Sequence, residues 1–211
     1  MKVGILAVQG DFEAHAATLD RLGAEHIFVR TPRDLEGVDA VILPGGESNT
    51  QWKFIVEEVL DKPLREHALR GGAVFGTCAG AILLAKDVRN PAQPSLALAD
   101  ITVIRNAYGR QLASEIRKEI TDLSPAPIEM VFIRAPIIES VGPNVETLAT
   151  SEGKPVLVRQ GRILISTFHP ELTADTTVHD FFLRMVSQTS GAADRSPKNT
   201  TTRSVVPVEP R

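Results

Sequence analysis

Three short stretches in the first half of the chain, residues 3–8, 38–43 and 72–75, are apolar almost throughout. A strand covered on one face alternates polar and apolar residues. A run without alternation belongs in a sheet covered on both faces. The runs close at glycine: Gly10, the turn Pro44-Gly45-Gly46, and Gly76. Helical spacing fills the intervals between them. Phe12, Ala16, Leu19 and Leu22 share one side of an expected helix over 12–22, with Gly23 as its stop. Helices are also expected over 48–60, 63–69 and 79–85, and a further strand over 27–29. Strands alternating with helices at this pace predict an α/β fold: an open, mostly parallel sheet with helices on both faces.

Beyond Pro94 the character changes. Residues 101–104, 128–133, 155–159 and 162–168 are rich in strand formers, with no long helix after about Glu119. They predict an antiparallel or mixed extension of the same sheet. Within it, 156–158 and 163–165 should pair as a hairpin across Gln160-Gly161. A closing helix is expected over 176–186, with Val178, Phe181, Phe182 and Met185 as its apolar stripe. One domain over 1–189 accounts for all of this. From Ser190 to Arg211, Ser, Thr, Pro, Gly and charged residues dominate and periodicity is lost, so 190–211 is expected to be a disordered tail.

Composition narrows the function by exclusion. A net charge of −3 and the lack of a basic cluster argue against nucleic acid as a partner. The apolar start gives way to Asp11 and Glu13 within a handful of residues. It is too short for a secretory signal or a membrane span, so a cytoplasmic protein is expected. The single cysteine, Cys78, allows neither an internal disulfide framework nor a Cys-x-x-Cys metal site, which suits a reducing compartment. No metal-ligand cluster and no Gly-x-Gly-x-x-Gly fingerprint is present, so no metal and no cofactor is expected.

Chemistry concentrates around Cys78. In Gly76-Thr77-Cys78-Ala79-Gly80 a buried strand enters a glycine-flanked turn and a helix leaves it, the pattern of a nucleophile elbow with cysteine in place of serine. Small residues two before and two after the nucleophile let strand and helix pack closely. A helix N-terminus beneath the sulfur favours the thiolate. The competing reading is a buried, inert cysteine.

A thiolate attacking an amide needs a general acid for the departing ammonia. Of five histidines, His15, His26, His67 and His179 have no special neighbours and read as surface or packing residues. His169 directly follows the strand over 163–168 and precedes Pro170-Glu171. Proline holds the residue before it extended, and residues two apart in an extended chain point the same way, so Glu171 should reach the imidazole. Donors for the tetrahedral oxyanion are expected from the backbone of Ala79 and, across the glycine turn Pro44-Gly45-Gly46-Glu47-Ser48, of Gly46. A plainer reading makes this a strand-to-helix turn in which Ser48 caps the next helix. Both turns should lie at the carboxyl edge of one parallel sheet, where open α/β proteins bind ligands.

A glycine turn, a Gly-x-Cys-x-Gly elbow and a late His-Pro-Glu, in that order, resemble the class I (triad) glutamine amidotransferases. Within them the chain is similar to the glutaminase subunits of pyridoxal 5'-phosphate synthase over residues 1–186. The closer match is carried by Val8-Gln9-Gly10-Asp11 with His15, Leu43-Pro44-Gly45-Gly46-Glu47-Ser48, and the elbow itself. It continues in Arg105-Asn106-Ala107-Tyr108-Gly109-Arg110-Gln111, Phe132-Ile133-Arg134-Ala135-Pro136 and Phe168-His169-Pro170-Glu171-Leu172. Branches serving anthranilate, GMP or CTP synthesis typically place glutamine four residues after the nucleophile. Here that position is Ile82.

The resemblance implies the flavodoxin-like amidotransferase fold and a triad of Cys78, His169 and Glu171. It further implies glutamine contacts from Gly46, Glu47, Ser48, Arg105, Ile133 and Arg134. An arginine is a good partner for an amino-acid carboxylate; on sequence alone, Arg105 and Arg134 could equally be ordinary surface residues. It also implies a partner, a (βα)8-barrel synthase subunit in a hetero-oligomeric complex that receives the ammonia. A related thiol hydrolase such as a γ-glutamyl peptidase would share the elbow without the segments at 105–111 and 132–136. A thiol sensor would need neither His169 nor Glu171.

Overall fold

In the computed structural model, which describes residues 1–106 and 114–188, the first half of the chain winds helices around a parallel sheet. Its elements are β1 (Lys2–Leu6), α1 (Phe12–Arg21), β2 (Glu25–Val29), β3 (Ala40–Leu43), α2 (Ser48–Glu57), α3 (Asp61–Leu69), β4 (Ala73–Thr77) and α4 (Ala79–Leu84). The second half adds β5 (Ala85–Arg89), β6 (Ala99–Ile104), β7 (Ser114–Thr121), β8 (Ser124–Ile133), β9 (Ile137–Val141), β10 (Glu146–Ser151), β11 (Lys154–Gln160), β12 (Ile163–Ser166) and α5 (Thr177–Ser187). Nine strands form one sheet in the order β2-β1-β3-β4-β12-β11-β10-β7-β8. From β2 to β12 the pairing is parallel, and from β12 to β8 it is antiparallel.

The unalternating runs explain the layering. Along β1, β3 and β4, Val3, Ile5, Ala40, Ile42, Ala73 and Phe75 face one side, where Ala16 and Leu19 of α1 and Val178 and Phe182 of α5 cover them. Leu6, Val41, Leu43 and Val74 face the other, against Ile55, Leu64 and the apolar length of α4. The apolar side chains of these strands therefore all lose water, and each Val, Leu, Ile or Phe adds roughly 1.5–3 kcal/mol.

The expected hairpin is present, with Val158 opposite Ile165 and Gly161 at positive φ between the strands. One expectation needs correction. Residues 101–104 do not extend the main sheet; β6 lies at the centre of a separate sheet, β5-β6-β9. Its pattern shows why: Ala99, Ile101 and Val103 are buried and join the core on the α4 side, while the residues between them stay half-exposed. That alternation marks a sheet covered on one face only. The segment at 107–111 and the tail at 190–211 lie outside the described residues. No helix among the described residues is long and apolar enough to cross a membrane.

Candidate active site

Cys78 forms the turn between β4 and α4 with φ +48° and ψ −98°, a conformation that side chains rarely adopt. The surroundings hold it there. Its N–H donates to Ser166 O of β12 at 2.9 Å, and its own carbonyl accepts from Ala81 N–H at 3.1 Å. The flanking glycines are spatial requirements: a Cβ on Gly80 would lie 2.1 Å from Leu43 O, and one on Gly76 2.8 Å from the Gly80 carbonyl. β3, β4 and α4 thus meet at a separation that only glycine permits, with the sulfur at the carboxyl edge of the parallel strands. Strain of this kind costs about 1–3 kcal/mol. Cys78→Gly should therefore be more stable than Cys78→Ala by roughly 1 kcal/mol, about 2–4 °C in a thermal melt. Equal melting of the two variants would show that the turn is relaxed.

His169 lies three residues beyond the end of β12, its N–H donating to Val131 O at 2.8 Å. Its Nδ1 donates to Glu171 Oε1 at 2.8 Å, and both side chains are buried. The contact is the expected one, made by a different route. Residues Pro170–Leu172 form a 3-10 turn, so Glu171 curls back under the ring, which an extended chain would not do. Proline keeps His169 out of the helical region and then serves as the first residue of the turn.

With Nδ1 committed, Nε2 is the nitrogen left to serve the Cys78 sulfur, whose nearness raises the ring's pKa. Burial pulls the His169 pKa down, but the Cys78 and Glu171 partners outweigh it and push it up to about 10. At neutral pH the imidazole is thus held in its protonated form. In a Cys78→Ala variant one of the two raising partners is gone, so the His169 ring is expected to titrate at lower pH by NMR. An unchanged midpoint would place the sulfur out of contact.

The cleft beside Cys78 is small, about 140 Å³, a scale suited to a single amino acid. Gly46, Glu47, Ser48, Ala79, Arg105, Ile133 and Arg134 all border it, as do Ile82, Asn106 and Pro136. Ile133 O accepts a weak S–H contact from Cys78 at 3.9 Å. Three bordering residues other than glycine have positive φ, Cys78, Asn106 and Arg134. Such strain gathers at functional sites.

The two arginines differ. Arg105 is buried and built in: Nη1 donates to Asn49 Oδ1 at 3.3 Å and Nη2 lies 3.6 Å from Glu47 Oε1. Arg134 is exposed at the rim. Glu47, and not Ser48, caps α2, accepting from Asn49 N–H at 3.1 Å and Thr50 N–H at 2.7 Å. Ser48 Oγ instead donates to Gln93 Oε1 at 2.9 Å.

Sequence reasoning missed the residues that clamp this site from behind. Gln51, fully buried, donates through Nε2 to Gln9 O at 2.9 Å and Pro44 O at 3.1 Å. Asp11 N–H donates to Gly45 O at 3.1 Å, and Gln9 Oε1 accepts from Glu47 N–H at 2.9 Å. The glycine turn is therefore tied to the Gln9-Gly10-Asp11 segment, which the sequence marked as a motif without indicating its purpose. His15 and His179, expected only to pack, are fully buried and meet behind Glu171. Asp11, His169 and Glu171 are a triple that could hold a metal ion, but His169 Nδ1 already carries its proton to Glu171.

An open α/β sheet with a cysteine elbow, a buried His–Glu pair and an amino-acid-sized cleft is the arrangement expected of a thiol-dependent amidase. Comparison with known proteins agrees. The model of the SNO glutamine amidotransferase family matches residues 5–188. The pyridoxal 5'-phosphate synthase subunit PdxT of Koribacter versatilis is 53% identical over 186 residues, covering 88% of this chain and 96% of that protein. Its namesake in Thermotoga maritima is 50% identical over 187 residues, covering 88% of this chain and all of that one. Among solved structures, a glutamine amidotransferase aligns with a TM-score of 0.83 at 45% identity, covering 88% of this chain and 98% of that one. The structure of PurLQS from Thermotoga maritima shares the fold alone, with a TM-score of 0.67 at 15% identity over 87% of this chain and 97% of the matched one. The chain belongs to the SNO glutamine amidotransferase family.

Proposed function

We propose that this chain hydrolyses L-glutamine to L-glutamate at Cys78 and passes the ammonia to a (βα)8-barrel synthase subunit for pyridoxal 5'-phosphate synthesis. The observation that carries the reading is the buried pair His169–Glu171, Nδ1 to Oε1 at 2.8 Å, placed against the sulfur of a strained elbow. The Cys78 sulfur adds to the side-chain amide carbon, and the C–N bond breaks as His169 gives its proton to the departing nitrogen. Water, deprotonated by the now neutral His169, attacks the thioester carbonyl. Glutamate leaves and the sulfur is regenerated. Glu171 keeps the ring in the tautomer that presents Nε2. The N–H groups of Gly46 and Ala79 are the assigned oxyanion donors.

Arg105 is the better candidate for the substrate α-carboxylate, because its guanidinium is already held at the cleft wall by Asn49 and Glu47. Arg134 guards the mouth. Glu47, Ser48 and Ile133 complete the wall. The relatives' name, a subunit of pyridoxal 5'-phosphate synthase, supports a synthase partner. Ammonia in neutral water is mostly protonated and poorly nucleophilic, which favours direct transfer within such a complex. The lone thiol fits the reducing cytoplasm.

Glutamine-dependent ammonia release, measured with and without the synthase subunit, tests the reading. Activity is expected with the partner present. Its absence there would overturn the proposal, and release from γ-glutamyl peptides in place of glutamine would favour a peptidase.

A further inference from the structure

Behind the catalytic pair lies a second pair that the chemistry above does not use. His15 of α1 and His179 of α5 are both fully buried, with His15 Nδ1 2.9 Å from His179 Nε2. The other nitrogen of His15, Nε2, lies 3.2 Å from Thr77 Oγ1, beside the nucleophile, and 3.6 Å from Glu171 Oε1. Phe75 packs edge-on against both rings, so neither reaches water.

The hydrogen bonds decide the tautomers. If His15 carried its proton on Nδ1, His179 would have to accept at Nε2 and bear its own proton on Nδ1. That atom is buried with no partner among the described residues. An orphaned buried donor is costly, and the lone pair left on His15 Nε2 would face the Glu171 carboxylate. In the opposite arrangement His179 Nε2–H donates to His15 Nδ1, and His15 Nε2–H points between Thr77 Oγ1 and Glu171 Oε1. His179 Nδ1 is then a lone pair, and neither ring leaves a buried N–H without a partner.

We infer that His15, its tautomer locked by His179, is a positioning residue that turns a neutral N–H toward Glu171 and keeps that carboxylate anionic beneath His169. Glu171 has need of it. It is buried, its Oε2 has no partner among the described residues, and burial pushes its pKa up against the pull of His169. The groups facing the cluster are few: His169 and Asp11 beside Glu171, Cys78 beyond His169, and Arg21 near His179. His15 itself stays neutral, because burial and then the neighbouring His179 and His169 oppose a further positive charge. At 3.6 Å its contact with Glu171 is a dipole directed at a charge and too long for a hydrogen bond.

The inference rests on the glutaminase reading, and the test separates the two. The pH dependence of glutamine hydrolysis is measured in the complex with the synthase subunit for wild type, His15→Leu, His15→Gln and His179→Phe. His15→Leu should lower kcat about tenfold with KM unchanged, the scale at which partners behind a working imidazole act. Its alkaline limb should also move to lower pH, since a less anionic Glu171 no longer holds His169 in its charged form. His15→Gln places a donor and an acceptor at similar reach and should restore both rate and profile. His179→Phe should shift the profile in the same direction by less, and it supplies the readout if His15→Leu does not fold. An unmoved profile in folded His15→Leu or His179→Phe would make these histidines packing residues, as would a folded His15→Gln that behaves like leucine. Inactive wild type would instead overturn the glutaminase assignment.

Discussion

Cys78→Ala is expected to lower glutamine-dependent ammonia release by at least about four orders of magnitude while leaving the fold intact, because removal of a triad nucleophile forfeits nearly all the covalent chemistry. The change is confined to one atom. The Cys78 sulfur makes only a weak 3.9 Å contact with Ile133 O, while the backbone bonds that hold the turn run through atoms alanine retains. The loss should therefore be chemical. In the reconstituted complex, synthesis supported by added ammonium salt should continue in the variant while synthesis from glutamine stops. Measurable glutamine turnover by the variant would place the nucleophile elsewhere, and loss of both activities would indicate a structural role for the thiol.

A second large effect is expected from a residue that touches no substrate. A Cβ added at Gly45 would lie 2.2 Å from His169 Cε1 and 2.8 Å from Nδ1. The backbone there has ordinary φ, so alanine can be built into the turn, and the imidazole must yield. Gly45 O is held by Asp11 N–H at 3.1 Å and by Gln51 Nε2 at 3.3 Å, so the turn itself cannot withdraw. Displacing a general acid by about 1 Å costs roughly a hundredfold. Gly45→Ala should accordingly lose about two orders of magnitude in kcat with little change in KM or melting temperature. A fully active variant would show that His169 works from another position.

These two residues illustrate what could be read before the structure. The spacing of Gly76, Cys78 and Gly80 was legible because an elbow leaves no alternative to small residues, and Gly80 indeed lies against Leu43 O. The His169–Glu171 contact was legible from chain proximity, although a 3-10 turn makes it. The parallel half of the sheet was legible because strands covered on both faces show apolar runs without alternation. The small β5-β6-β9 sheet was not, because its half-buried alternation also fits an edge of the main sheet. The capping role of Glu47 was hidden by Ser48, a better capping residue by type and one position further on. The His15–His179 contact joins α1 to α5 across the whole length of the domain, and no local pattern reports such a pairing.

The bond from Cys78 N–H to Ser166 O has a consequence for when the enzyme becomes an enzyme. Strand β12 pairs with β4 in parallel register, Ile163 beside Val74 and Ser166 beside Thr77, yet everything from β5 to β11 is made between them. During synthesis the nucleophile emerges early, and its acid arrives only after this long excursion has been completed. Pairing at such sequence separation is slow and comes late. Until β12 pairs with β4, the Cys78 N–H lacks its Ser166 partner and the turn lacks one of the bonds that hold it. That single docking event closes the sheet and delivers His169 and Glu171 together, so a nascent or truncated chain holds the cysteine without the chemistry.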